Sequence, residues 1–265
     1  MKFAIQYNLM NEDQLHDVAD AVKQYPHIFV GVIPFSREIT SVNPIEGVDY
    51  IPYGSTLLTN LAADLGWTGL HFDVAKLNYR NFLANHPAML NDNVLSVSDA
   101  IWWLKTIDPT TELFTRPSED LKQYSGVVMQ AGEIAPWFQS MVDAIGGGSY
   151  YMPPTTEVVL SSPKDISAEW RWFIVGGKIV SGSMYRAHGQ LRKLRELDQA
   201  VIDEAQALAD IWLPIDCVVM DTALVGDEIK VVEFNTINSS GFYDNDVPAV
   251  FNALWDYHTN QTNYS

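Results

Sequence analysis

"VVMDTALVGDEIKVVEFNTINSSGFY", residues 218–243, is two apolar runs joined by Gly226-Asp227-Glu228, with a few polar residues set at regular places in each run. Read as a hairpin with a three-residue loop, it pairs Val225 with Ile229 and sets Asp221 directly opposite Glu233. Directly opposed residues share a face, with Cβ atoms about 5 Å apart. Asn235 lies two residues past Glu233 and so shares that face. Two carboxylates and an amide therefore converge where the second strand runs out. Like charges this close destabilise a sheet unless a cation offsets them, and Mg²⁺ takes oxygen ligands of this kind at about 2.0–2.1 Å. The spacing alone also fits a solvated hairpin face carrying unrelated acids.

Working upstream, "LDQAVIDEAQALADIW", residues 197–212, has the apolar stripe of a helix packed on a sheet. Before it, "AEWRWFIVGGKIVSGSMYR", residues 168–186, is another hairpin. Gly176-Gly177 suits a two-residue turn with positive φ, which pairs Val175 with Lys178 and puts Glu169, Arg171 and Phe173 on one face. Arg171 then has two readings: a structural partner of Glu169, or a fork for phosphate or carboxylate if the hairpins face each other. Two further cations, Arg116 and Lys122, flank a turn in "FTRPSEDLKQYSG", residues 114–126. "GGGSYYMPP", residues 146–154, reads as a loop.

The first part alternates strands and helices. "KFAIQYN" and "HIFVGVIPF" read as strands, and "EDQLHDVADAVKQY" between them has helical spacing. Residues 1–105 are thus expected to form a small α/β lobe and 106–265 a second domain. In "YIPYGSTLLTNL" a Gly-Ser-Thr turn leads from strand to helix. Ser55 or Thr56 would either cap that helix or present hydroxyls and N–H groups to an anionic substrate.

Composition narrows the classes. Of 265 residues, 47% are hydrophobic and 12% aromatic, as in a globular chain. Sixteen Lys and Arg against 33 Asp and Glu give a net charge of −17, a field that repels nucleic acid and anionic membranes. Any polyanion site must then gather its cations locally. The single cysteine, Cys217, excludes an internal disulfide and fits a reducing cytoplasm. No secretory signal or membrane-spanning run is legible. The six histidines lack metal-ligand spacing, and no Walker loop, dinucleotide fingerprint, H-E-x-x-H or G-x-S-x-G occurs.

Taken in order, these segments resemble the ATP-grasp superfamily. The 218–243 stretch looks like its metal hairpin, an aspartate followed by Glu-x-Asn. "FTRPSEDLKQYSG" followed by "EVVLSSPKDISAEWRWFIVGGKIVSGSMYR" is similar to a divergent bacterial and phage subgroup that binds phosphates through arginine and lysine. The resemblance covers about residues 111 to 245. It implies an ATP-grasp fold, α/β (α+β), preceded by a small N-terminal α/β lobe. It implies that Asp221, Glu233 and Asn235 hold Mg²⁺, and that Arg116 and Lys122 contact the phosphates of ATP. Strand "EVVLSS" would line the adenine pocket through Glu157, Val159 and Ser161, with Glu169 beside it. Arg171 and Arg116 would act in catalysis, Arg171 reaching the γ-phosphate or the acyl group. The usual glycine-rich phosphate loop is not recognisable, although "YSGVVMQAGE" stands near its place. The activity implied is ATP-dependent joining of a small-molecule or peptide carboxylate to an amine through an acyl phosphate. A kinase-like phosphotransferase and a non-catalytic nucleotide-binding module share the same site.

Overall fold

The computed structural model describes residues 1–34, 36, 38–118, 124–144 and 151–261. Its first layer grows from short apolar strands. β1 (Lys2–Gln6) is buried from Phe3 onward, as a strand covered on both faces must be. It runs parallel to β2 (His27–Val32) and β4 (Tyr50–Tyr53), while β3 (Ile39–Ser41) pairs antiparallel with β2 at the edge. α1 (Glu12–Val22) and α2 (Thr56–Asp64) each begin at a side-chain cap. Asn11 accepts the Gln14 N–H at 2.9 Å and Ser55 accepts the Leu58 N–H at 3.2 Å, which satisfies an otherwise orphaned donor at each helix start. Ala4, Ile28 and Val30 share one core with Leu58, Leu61 and Trp67. Phe3 and Ile5 share another with Phe251 and Leu254 of α7 (Val247–Gln261), so the end of the chain seals the lobe at its beginning.

The second layer is an antiparallel sheet in the order β5 (Val94–Ser96), β8 (Glu157–Ser161), β6 (Glu112–Pro117), β7 (Val127–Gln130). α4 (Val97–Leu104) and α5 (Ala131–Val142) cover it. The sequence reading draws the first lobe out to residue 105, and here the structure differs. Strand β5 pairs with β8, and Val97, Ala100 and Leu104 of α4 share a core with Ile134 and Phe138 of α5. Residues 94–104 fold as a strand and a helix, and it is the partner strand that fixes which sheet they join.

The third layer contains the two hairpins. β9 (Ile166–Val175), β10 (Lys178–Ala187), β11 (Gln190–Leu194), β12 (Val218–Val225) and β13 (Glu228–Thr236) form one antiparallel sheet ordered β11-β10-β9-β12-β13. Gly176 and Gly177 turn the first hairpin at φ 58° and 77°, and Val175 pairs with Lys178 as the sequence predicts. One face carries Trp172, Ile174, Val218 and Met220, packed with Ala205 and Leu208 of α6 (Gln199–Ile211). Phe82 of α3 (Tyr79–Asn85) joins the same core through an edge-on contact with Phe234. The opposite face holds Phe173 and Val219 in the core shared with α7. Further along, that face turns polar. The mixed α/β architecture matches the expectation from sequence.

Candidate active site

The polar face begins at the second hairpin, whose turn is not the predicted one. Gly226-Asp227 is a two-residue turn, with Gly226 at φ 61° and Val225 paired with Glu228. In an unbroken ladder that pairing would set Asp221 opposite Val232 and turn Glu233 to the other face. A register shift instead takes the ladder from Thr222↔Val231 to Asp221↔Glu233, leaving Val232 as the extra residue of a β-bulge. The bulge cancels the shorter turn, so the carboxylates meet after all.

A row of charge results across three strands. Arg171 on β9 stands opposite Asp221 on β12, and Asp221 stands opposite Glu233 on β13. Arg171 donates from Nε to Asp221 Oδ1 at 2.8 Å, from Nη2 to Oδ2 at 2.7 Å, and from Nη1 to the Gly241 carbonyl at 3.1 Å. Its guanidinium lies 4.8 Å from the ring centroid of Tyr243, which stacks on Tyr185 at 4.7 Å. Arg116 reaches over from β6 in the second sheet and places Nη1 2.5 Å from Glu233 Oε2. Each carboxylate is thus matched by a guanidinium. Burial works to lower the Arg171 guanidinium, but Asp221 outweighs it and holds the group above its ordinary value. Burial pushes the Asp221 carboxyl up against the pull of Arg171. At Glu233 burial also raises the carboxyl, and Arg116 leads the charges and hydrogen bonds that bring it below its usual range.

The remaining residues singled out in the sequence scatter. Asn235 follows Glu233 on the same face, and its buried amide helps hold the Glu233 carboxylate below its usual range. Glu169 is not the partner of Arg171. It accepts from the Tyr185 hydroxyl at 2.8 Å and from Arg186 Nη1 at 3.1 Å. Glu157 pairs with Arg80, Val159 is wholly buried in a core, and Ser161 hydrogen-bonds the Ser162 carbonyl at 3.3 Å. Lys122 and the glycines at 146–148 lie outside the described residues.

Two cavities flank the row. One of about 830 Å³ lies between the second and third sheets, with Tyr124, Ser162, Lys164, Glu169 and Arg186 in its walls. The three β8 residues named from sequence do not line it, whereas Ser162, the residue just past them, does. The other, about 580 Å³, opens toward the first lobe and includes Thr56, Arg171, Glu233, Asn235 and Ser239. Arg116 lines both. In the Gly-Ser-Thr turn, Ser55 is spent on structure: it caps α2 and donates to Gln6 Oε1 at 2.7 Å. Its neighbour Thr56 is the one that faces the cavity.

Sequence reasoning missed the clamp on Arg171. Asn245 donates to Ser183 Oγ and accepts from Ser181 Oγ, both at 2.7 Å, and so pins the loop carrying Gly241 and Tyr243 to β10. The available signal was "GFYDND", residues 241–246, where Gly, Asp and Asn mark a turn a few residues past the end of β13.

Two sheets facing each other across a nucleotide-sized cavity, with an acidic hairpin at its mouth, define an ATP-grasp protein. Residues 75–255 match the family described as ATP-grasp domain, R2K clade family 3, and the chain belongs to it. No curated protein matches the sequence. Among solved structures, D-cycloserine synthetase DcsG superposes with a TM-score of 0.63 at 12% identity, over 98% of this chain and 99% of that one. An ATP-grasp RimK domain protein from Sphaerobacter thermophilus gives 0.61 at 13% identity, over 96% and 100%. The D-alanine–D-alanine ligase from Coxiella burnetii gives 0.62 at 12%, over 100% and 96%. At such identities the likeness establishes the fold. Among the described residues no helix is long and apolar enough to cross a membrane.

Proposed function

We propose that the protein is an ATP-dependent ligase that joins a carboxylate to an amine through an acyl phosphate. The observation that carries this reading is the position of Arg116. It stands in the wall common to both cavities and is ion-paired to Glu233, in line with Asp221 and Arg171. A group bound in the larger cavity and one bound in the smaller would meet there.

ATP fits the larger cavity, with its base toward Ser162 and Lys164 and its phosphates toward Arg186 and Arg116. Asp221, Glu233 and Asn235 form an all-oxygen donor set that suits a small hard cation. Among the described residues no group of three His, Cys, Asp or Glu is placed to hold a metal ion, and in this reading the amide oxygen of Asn235 is the third donor. Those three residues would hold Mg²⁺, which when bound neutralises phosphate charge. A guanidinium has five N–H donors, so Arg116 and Arg171 can each keep a carboxylate contact and still offer N–H groups to incoming oxygens.

The substrate carboxylate enters the smaller cavity facing Arg171. Its oxygen attacks the γ-phosphorus, ADP departs with the bridging oxygen, and an acyl phosphate results. The amine nitrogen then attacks the acyl carbon, inorganic phosphate leaves with the C–O electrons, and the nitrogen releases a proton to water. Arg116 and Arg171 orient the reactants and stabilise the charge that develops on phosphoryl and acyl oxygens.

The test is product analysis with Mg-ATP, a carboxylate and an amine. One ADP and one free phosphate for each amide formed is expected, with both products lost in Glu233→Gln. ADP without free phosphate would instead mean phosphoryl transfer onto a hydroxyl.

A further inference from the structure

The lining of the smaller cavity is of two kinds. Arg171, Arg116 and Glu233 supply charge, and Phe72, Val74 and Leu77 supply an apolar wall. Phe72 is half-buried and Val74 is 55% exposed, yet neither belongs to any of the hydrophobic cores. They present apolar surface to the cavity beside Leu77. This wall is held in place. The His71 N–H donates to Asn238 Oδ1 at 2.7 Å, and the Thr236 hydroxyl donates to the His71 carbonyl at 2.8 Å. At the other end, the Tyr79 N–H donates to Ser118 Oγ at 3.2 Å. The apolar wall is therefore tied to the end of the strand that carries Glu233 and Asn235. Apolar side chains fixed at a cavity wall and claimed by no core are the mark of a ligand's apolar body.

The charges point the same way. Among the described residues lining this cavity there are two arginines and one acid, and that acid, Glu233, is already paired with Arg116. An anionic head group is therefore favoured. Arg171 is matched by Asp221 and Arg116 by Glu233, so these charges balance. Arg171 spends three of its five N–H groups on Asp221 and Gly241 and can still donate to a carboxylate. An ammonium, by contrast, would meet no carboxylate that is not already paired.

Resting on the ligase reading, we infer that the acyl substrate is an apolar carboxylate that bears no free ammonium group, such as an N-acylated hydrophobic amino acid. Its carboxylate faces Arg171 and its side chain lies on Phe72, Val74 and Leu77.

Direct binding tests this without requiring turnover. The full chain, with Mg²⁺ and a non-hydrolysable ATP analogue, is titrated calorimetrically with N-acetylphenylalanine, phenylalanine and N-acetylglutamate. N-acetylphenylalanine is expected to bind at least tenfold more tightly than either of the others. Val74→Asp should weaken it by about tenfold or more without changing the melting temperature, because that side chain is already exposed. Phe72→Ala should weaken it likewise. Equal or tighter binding of phenylalanine would overturn the exclusion of an ammonium, and equal binding of N-acetylglutamate would overturn the apolar wall. Failure of all three to bind a chain that binds the nucleotide would overturn the inference outright. Failure of the ligase reading shows separately, as the missing phosphate in product analysis.

Discussion

Arg116 crosses from one sheet to another to meet Glu233, Nη1 to Oε2 at 2.5 Å, and Glu233 in turn lies directly opposite Asp221. A single ion pair thus connects the second layer to the charge row of the third. With Arg171 on Asp221, the row reads Arg, Asp, Glu, Arg across two sheets.

Asp221→Asn is expected to destabilise the fold as well as stop turnover. Arg171 is only 13% exposed and Asp221 3%, so the substitution strands a nearly buried guanidinium, at a cost of about 3–5 kcal/mol. Adding Arg171→Met should restore most of the stability and none of the turnover. Urea unfolding of the single and double variants is the check. A single variant as stable as the parent would show that relief of crowding with Glu233 outweighs loss of the pair.

Tyr243 is a positioning residue. It has φ 54°, a conformation costly for a non-glycine residue, and its ring stacks on Tyr185. The Arg171 guanidinium lies 4.8 Å from its centroid and 5.9 Å from that of Tyr185. Tyr243→Gly relieves strain of about 1 kcal/mol and removes stacking of about 0.5–1.5 kcal/mol, so the melting temperature should barely move. The kcat should fall about tenfold while the KM for ATP holds, because the larger cavity is not lined by this residue. An unchanged kcat would mean that Asp221, Gly241 and Tyr185 hold the arginine without it.

Gly182 on β10 lies against Cε3 and Cζ3 of the Trp172 indole. A Cβ there would stand 2.3 Å from two atoms of the indole. Gly182→Ala must displace a wholly buried tryptophan from its core, so a loss of about 1–3 kcal/mol is expected. The midpoint of chemical denaturation measures it, and an unaltered midpoint would reveal a mobile indole.

Acid should weaken the fold through His71. Burial, and then His258 at 2.9 Å, lower its pKa to about 3. Above about pH 6.5, the ordinary value, neither folded nor unfolded chain protonates this ring, and it contributes nothing. Below that, the unfolded chain takes up a proton that the folded chain refuses. Stability then falls as pH drops toward 3, by up to about 1.4 kcal/mol per pH unit. His71→Gln should flatten this slope in urea titrations between pH 4 and 7. His86 and His258, which burial also lowers, add to the remaining slope, and Glu233 joins them toward its acid end because its carboxyl lies below the usual range.

The residues themselves announce much of this protein. Alternation in 166–187 and 218–236 specifies strands, and the Gly176-Gly177 pair specifies the turn that joins the first two. Such features are local: period two follows from the pleat, and positive φ follows from the missing Cβ. What the tertiary structure decided is which residues stand side by side. Nothing in the string announces the bulge at Val232, because any residue can be left unpaired when the ladder slips. Glu169 looked like the partner of Arg171, yet residues two apart along a strand are separated by roughly 6.8 Å. Asp221 stands on the neighbouring strand about 4.8 Å away, and it took the arginine. The same holds for residues 94–104, which chain order assigns to the first lobe but whose sheet is chosen by β8. Sequence determines the pattern within an element, since that depends on neighbours along the chain. The pairing between elements was settled only in the fold, where distance across a sheet is shorter than distance along it.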